Sequence, residues 1–223
     1  MGEKCVAILT GDIVNSTVLS AARRKALYES FSTLADSLMA AYPGVIPYPL
    51  DNFRGDGWQL VVMKPEKAFH ISLFIRTFIK LNFPEGKLDS RIAIGIGPVD
   101  FIPKDRISSG YGEAYQRSGH LLDQLKQTRL GLSMDARPGD PCLPLLQHLL
   151  DVYDSIISGY TAAQSQAVHL SLQGFRQNQV GEMWRPAPIT QASVARHLNA
   201  ARWDLVKKCA IVFEETVAFW IRR

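Results

Sequence analysis

Two aspartates carry the first chemistry this sequence offers. Asp12 stands in "ILTGDIVNST", residues 8–17, where an apolar run from Val6 to Leu9 gives way to a carboxylate and then to small polar residues. Asp56 follows 44 residues later in "FRGDGWQLVV", between Gly55 and Gly57. Two carboxylates brought to one sheet edge form a hard oxygen site suited to Mg²⁺ or Mn²⁺, with substrate phosphates completing the shell. Val14, Asn15, Ser16 and Thr17 would then offer backbone N–H groups near a helix start, which suits phosphate oxygens. Gly55 and Gly57 clear side chains from around Asp56 and let a ligand approach. The competing reading makes Asp12 a turn cap and Asp56 a hairpin residue. Spacing alone does not separate the two.

Positioning these carboxylates requires a sheet. Residues 4–11 read as a short buried strand that Asp12 ends, and residues 18–41 as a helix with Leu27, Phe31, Leu34, Ala35 and Leu38 on one stripe. Val45–Asn52 and Trp58–Met63 read as two strands around an Asp-Gly turn, the first irregular because of Pro47 and Pro49. A helix over 66–82 follows Pro65. Ser90–Phe101 alternates cleanly, with Ile92, Ile94 and Ile96 on one side and Arg91, Ala93, Gly95 and Gly97 on the other. A helix at 112–127 and a last strand at 130–136 complete an α+β sandwich, expected to carry helices on one face of a mostly antiparallel sheet. "RPGDPCLP", 137–144, has the proline content of a linker. Only helices follow, over 143–157, 162–173, 176–184, 190–200 and 203–221, so domains are expected at 1–136 and 145–223.

The bulk numbers agree with this plan. In 223 residues, 47% are hydrophobic and 21% charged, enough for a real core. Cys5, Cys142 and Cys209 are far apart, without a CxxC pair, so neither a zinc site nor a disulfide framework is indicated. No basic region with a long apolar run opens the chain, and no run is long enough to span a bilayer. A cytoplasmic protein without a membrane role is expected. The net charge of +4 permits an anionic partner without demanding one.

Four segments in order resemble the motifs of class III nucleotidyl cyclases over about residues 4–135. "LTGDIVNST" resembles their first metal motif, and "FRGDGWQLVV" the Gly-Asp-Gly hairpin with the second metal aspartate. "RIAIGIGPV" resembles the core strand that follows, and "YGEAYQRSGHLLDQL" the helix after it. The resemblance implies a ferredoxin-like cyclase sandwich, a head-to-tail dimer, and metal held by Asp12, Asp56 and Ile13. It also implies attack of a ribose 3′-hydroxyl on the α-phosphate, eased by two metals and by an asparagine and an arginine from the partner subunit. Here the asparagine position holds Gln116 and the arginine position His120, with Arg117 three residues before it. The base-reading positions hold Asn52 and Ser109. The metal half therefore keeps the pattern and the transition-state half departs from it. Loss of the arginine implies several kcal/mol less transition-state stabilisation. The start and the Gly-x-Ala-Tyr helix also resemble SatD-type bacterial proteins.

The tail resembles a helix-turn-helix of the sigma-factor region-four kind. In "RPAPITQASVARHLNAARW", Thr190 reads as an N-cap, while Ile189, Val194 and Leu198 form an apolar stripe. Gln191, Ser193, Arg196, Asn199 and Arg202 stay available for DNA. Residues 176–208 hold six basic side chains against Glu182 and Asp204, a balance that suits phosphate contacts. The last helix carries a stripe from Leu205 to Trp220 that reads as core or dimer interface. The expectation is a regulator: a cyclase-like domain binding a nucleotide or phosphate ligand, a DNA-binding tail, and a homodimer. An active cyclase is the alternative.

Overall fold

The apolar opening run becomes β1 (Cys5–Val14), the middle strand of five. In the computed structural model, which describes residues 5–53, 55–135 and 140–222, β3 (Gly57–Val62) and β4 (Asp89–Pro98) flank it, both antiparallel. β2 (Asp51–Phe53) pairs with β3, and β5 (Leu130–Ser133) runs parallel to β4, giving the order β2-β3-β1-β4-β5. The architecture is α+β, a mostly antiparallel sheet with helices. β1 is apolar on both sides because both its faces are covered.

Three local readings change. β1 does not end at Asp12; its ladder with β4 continues to Val14↔Asp89, so Asp12 sits inside the strand opposite Arg91. The strand expected from Val45 shrinks to Asp51–Phe53, because Pro47 and Pro49 have no N–H to give a ladder. The first helix, α1 (Ala21–Ala41), starts three residues late: Ser20 is its N-cap, accepting from the Arg23 N–H, and Ser16–Val18 form a separate 3-10 turn.

Alternation decides the two faces. Ile92, Ile94 and Ile96 join Leu9, Leu60 and Leu132 in the core under α1 and α2 (Ala68–Asn82). On the opposite face, α3 (Glu113–Gln124) lies over Gly95 and Gly97. A Cβ on Gly95 would fall 2.3 Å from the Ala114 carbonyl oxygen, so the missing side chains are what let this helix down. Both faces therefore carry helix, against the expectation of one.

The helical tail follows the sequence pattern closely, as α4 (Cys142–Ser158), α5 (Ala162–Leu172), α6 (Gln177–Glu182), α7 (Gln191–Ala200) and α8 (Trp203–Ile221). Of the linker expected at 137–144, residues 137–139 lie outside the described residues, as does Arg54, and α4 already begins at Cys142. α5 packs on α2, and one apolar cluster extends from Ala7 to Val217. Phe69 of α2 meets Tyr153 of α4 and Phe213 of α8, with ring centroids 4.2 and 5.6 Å away. A fully buried phenylalanine contributes about 1.5–3 kcal/mol, so this seam is substantial.

Charge crosses the same seam. The fully buried Arg76 of α2 pairs with Asp89 of β4 at 2.8 Å and with Asp154 of α4 at 2.7 Å. Lys80 and Arg129 also reach Asp89, at 3.1 and 2.9 Å. Burial alone would raise the Asp89 pKa, but Arg76 and the other cations hold it down to about 2. No described helix is long and apolar enough to cross a membrane.

Candidate functional site

A cavity of about 430 Å³ opens where β1 turns toward α1. Asp12, Ile13, Val14, Asn15, Ser16, Thr17 and Asp56 all line it, so the turn and both aspartates meet. Two features build it. The β1–β3 pairing carries the hairpin tip to the end of β1, and Asn15 adopts a left-handed backbone (φ 64°) that swings the chain out of the strand. Gly55, at φ 84°, makes the corresponding bend beside Asp56.

Neither carboxylate is idle. Arg91 Nε donates to Asp12 Oδ1 at 2.9 Å, and its Nη2 bonds the other oxygen. Arg91 Nη1 is anchored on the Leu125 carbonyl at 2.8 Å. Asp56 Oδ2 accepts from the Ser16 hydroxyl at 2.6 Å. The hydrogen bonds that Arg91 donates to Asp12 push the Arg91 pKa further up, so its charge persists. Ile13 is buried in the core through its side chain, so only its carbonyl could serve a cation.

The donor set suits a hard cation by type: two carboxylates and a carbonyl. It is small. Among the described residues no group of three or more His, Cys, Asp or Glu could hold a metal ion. Mg²⁺ or Mn²⁺ would therefore need ligand phosphate oxygens and water to complete its shell, and would compete with Arg91 for Asp12.

A second cavity, about 520 Å³, lies on the α3 face. Ser109, Gln116 and His120 line it together, whereas Asp12 and Asp56 do not. Arg117 lines neither cavity: it bonds the Ile96 carbonyl and Glu113, each at 2.6 Å, and so clamps α3 to β4. Asn52 is exposed on β2 and also lies outside both cavities.

Gln59, beneath the second cavity, has a fixed orientation. Ser118 gives its hydroxyl proton to the Tyr115 carbonyl at 3.0 Å, so Thr10 donates to Ser118 at 2.8 Å. Thr10 Oγ1 can then only accept, and Gln59 Nε2 donates to it at 2.9 Å. The Gln59 Oε1 atom is left buried without a donor among the described residues.

In the tail, α7 divides into a buried apolar stripe and an exposed polar face. Thr190 caps α7, accepting from the Ser193 N–H at 3.2 Å, and Val194 and Leu198 are buried. Gln191, Arg196, Asn199 and Arg202 are exposed and Ser193 partly so. Gln191 bonds Gln177 across the gap to α6 at 2.6 Å, and Arg196 bonds Ser193 at 3.0 Å. Gly181 lets the connection pass: the Ile189 N–H donates to its carbonyl at 3.0 Å, where a Cβ would sit 2.5 Å from Ile189 O.

Sequence reasoning missed Arg91, Lys126 and Arg129, which line the aspartate cavity, and Gln59 in the second. Arg91 stood in a noted motif, on the face now known to carry Asp12. Its partner follows from the Asp12↔Arg91 register, which no local signal specifies.

No family model and no curated protein matches the chain. A solved structure of a bacterial light-regulated adenylyl cyclase matches 58% of it, with 18% sequence identity and a TM-score of 0.41; the match spans 42% of that protein's chain.

Proposed function

We propose that this chain is a regulator that binds a nucleotide or another phosphate ligand, with Mg²⁺ or Mn²⁺, at Asp12 and Asp56, and binds DNA through α7. One observation carries the first half: both aspartates and the whole turn from Ile13 to Thr17 line a single cavity. Asp12, Asp56 and the Ile13 carbonyl would hold the cation, and the cation would neutralise phosphate charge. The turn's N–H groups, Lys126 and Arg129 would orient the phosphates. DNA binding draws support from an exposed polar face on α7 above a packed apolar stripe.

Thermal stabilisation by nucleoside triphosphate and Mn²⁺, lost in Asp12→Ala and unaccompanied by turnover, is the expected result. Arg196→Ala is expected to weaken salt-sensitive DNA binding; unchanged binding would remove α7 from the reading.

Active cyclisation is the second reading. Favouring it, Gln116 and His120 share a cavity with Ser109, apart from the aspartates. Half-sites separated in this way would be completed by a second copy of the chain, supporting a homodimer. A cyclic product formed from any of the four nucleoside triphosphates with Mn²⁺, absent in His120→Ala and Asp12→Ala, would select it.

A further inference from the structure

A third cavity, about 490 Å³, lies where the end of α2, the connection from α2 to β4, Arg129 and the α4–α5 junction meet. Its charged lining is all positive: Lys80, Lys87 and Arg129, with no carboxylate among the described lining residues. Behind the wall the balance is also positive. Arg76, Lys80 and Arg129 share Asp89, and among the described residues Asp154 is the only other carboxylate in the network, so three cations face two anions. Lys87 adds a further charge at the rim and pairs with no carboxylate among the described residues.

An excess cation in a buried network is costly unless an anion completes it. Lys80 registers that cost: burial pulls its pKa down against the opposing pull of Asp89. Its side chain is 9% exposed, and Nζ reaches the Ser158 carbonyl at 3.1 Å, in the wall of the cavity. Thr161 and Ala162, at the start of the 11-residue α5, complete this wall. A capping box already takes the N–H groups of Thr161 and Gln164; the other first-turn N–H groups lack partners within the helix and add a positive end.

We propose that this cavity is a phosphate-binding site, with Lys80, Lys87 and Arg129 as its cationic contacts. An ammonium, a forked guanidinium and a helix start match the tetrahedral oxygens of a phosphate better than a planar carboxylate. Two sources share this chemistry. Asn15 and Arg129 line both this cavity and the aspartate cavity, so a nucleotide seated at the aspartates can extend its terminal phosphate here. A free phosphate or pyrophosphate can also enter alone. In either case the ligand bridges Arg129, just before β5, and the α4–α5 junction. The inference goes beyond the function proposed above, and inorganic phosphates test it alone.

The full chain is titrated calorimetrically, at constant ionic strength, with phosphate, pyrophosphate, ATP, sulfate and adenosine. Lys87→Glu is the main variant because Lys87 is exposed. It keeps a β-carbon at the left-handed position (φ 46°), and circular dichroism checks its fold. Lys80→Met is the second variant. Metal-free pyrophosphate binding weakened at least tenfold by Lys87→Glu and untouched by Asp12→Asn supports the free-anion source. ATP binding weakened at least tenfold by both Lys87→Glu and Asp12→Asn, without pyrophosphate binding, supports the terminal-phosphate source. Absence of binding by every phosphate species overturns the proposal. So does binding that both lysine variants leave unchanged, or sulfate binding as tight as phosphate. ATP binding lost in Asp12→Asn alone overturns it too, while leaving the aspartate reading intact.

Discussion

Arg91 grips both oxygens of Asp12 from the neighbouring strand, at the one register position where the two residues face each other. A cation at Asp12 competes with a guanidinium that is itself tied to Leu125. Replacement by glutamine removes this competitor. Arg91→Gln is expected to tighten Mn²⁺ binding about tenfold, equivalent to about 1.4 kcal/mol, and to lower stability by about 1 kcal/mol because the pair is only partly buried. Calorimetric titration and urea denaturation read the two effects. Weaker Mn²⁺ binding in the variant would mean that Arg91 supports the site rather than blocks it.

Asp89 has a different weight. It is fully buried and serves Arg76, Lys80 and Arg129 at once. Asp89→Asn leaves Lys80 and Arg129 without their carboxylate and Arg76 with Asp154 alone, and the expected loss is about 3–5 kcal/mol in urea denaturation. A loss below 1 kcal/mol would show that the charges are relieved by water.

Acid should loosen the seam between α2 and α5. His169 of α5 is buried against Phe74, with Nδ1 3.1 Å from the Thr77 hydroxyl, and burial lowers its pKa to about 4. Its ordinary value is about 6.5. Between those values the unfolded chain binds the proton and the folded chain does not, so stability falls as the pH drops. His70, buried beside Tyr42, is also lowered to about 4 and adds to the same limb. Each histidine contributes about 1.4 kcal/mol per pH unit inside that window. Denaturation midpoints measured from pH 7 to pH 4.5 should decline steeply, and His169→Gln should flatten the decline.

The α6–α7 connection rests on Gly181. Gly181→Ala would press a methyl group into Ile189 O and is expected to cost about 1–3 kcal/mol. The proposed DNA binding is expected to fall with it, although no exposed side chain of α7 has changed. Gel-shift titration beside a thermal melt checks both. Full stability in the alanine variant would mean that the connection can shift at little cost.

Local pattern was sufficient for the helices. Their apolar stripes and the Thr161 and Thr190 caps lie within one segment, so α5, α7 and α8 fell within a residue or so of their expected bounds. The alternation of β4 likewise assigns Ile92, Ile94 and Ile96 to one face without reference to any partner strand. Boundaries failed where a competitor acted: the prolines that shorten β2, and the Ser20 cap that delays α1.

By itself the sequence determined the α+β class, the helical tail and the two aspartates worth watching, because periodicity and turn chemistry are local. Only the tertiary structure decided their company. Strand register set Arg91 against Asp12, side-chain-free strand positions let α3 cover the second face, and the packing of α4 and α5 on α2 built a cationic cavity from residues scattered between positions 15 and 162. Each of these depends on contacts between segments far apart in the chain, which a residue's immediate neighbours do not specify.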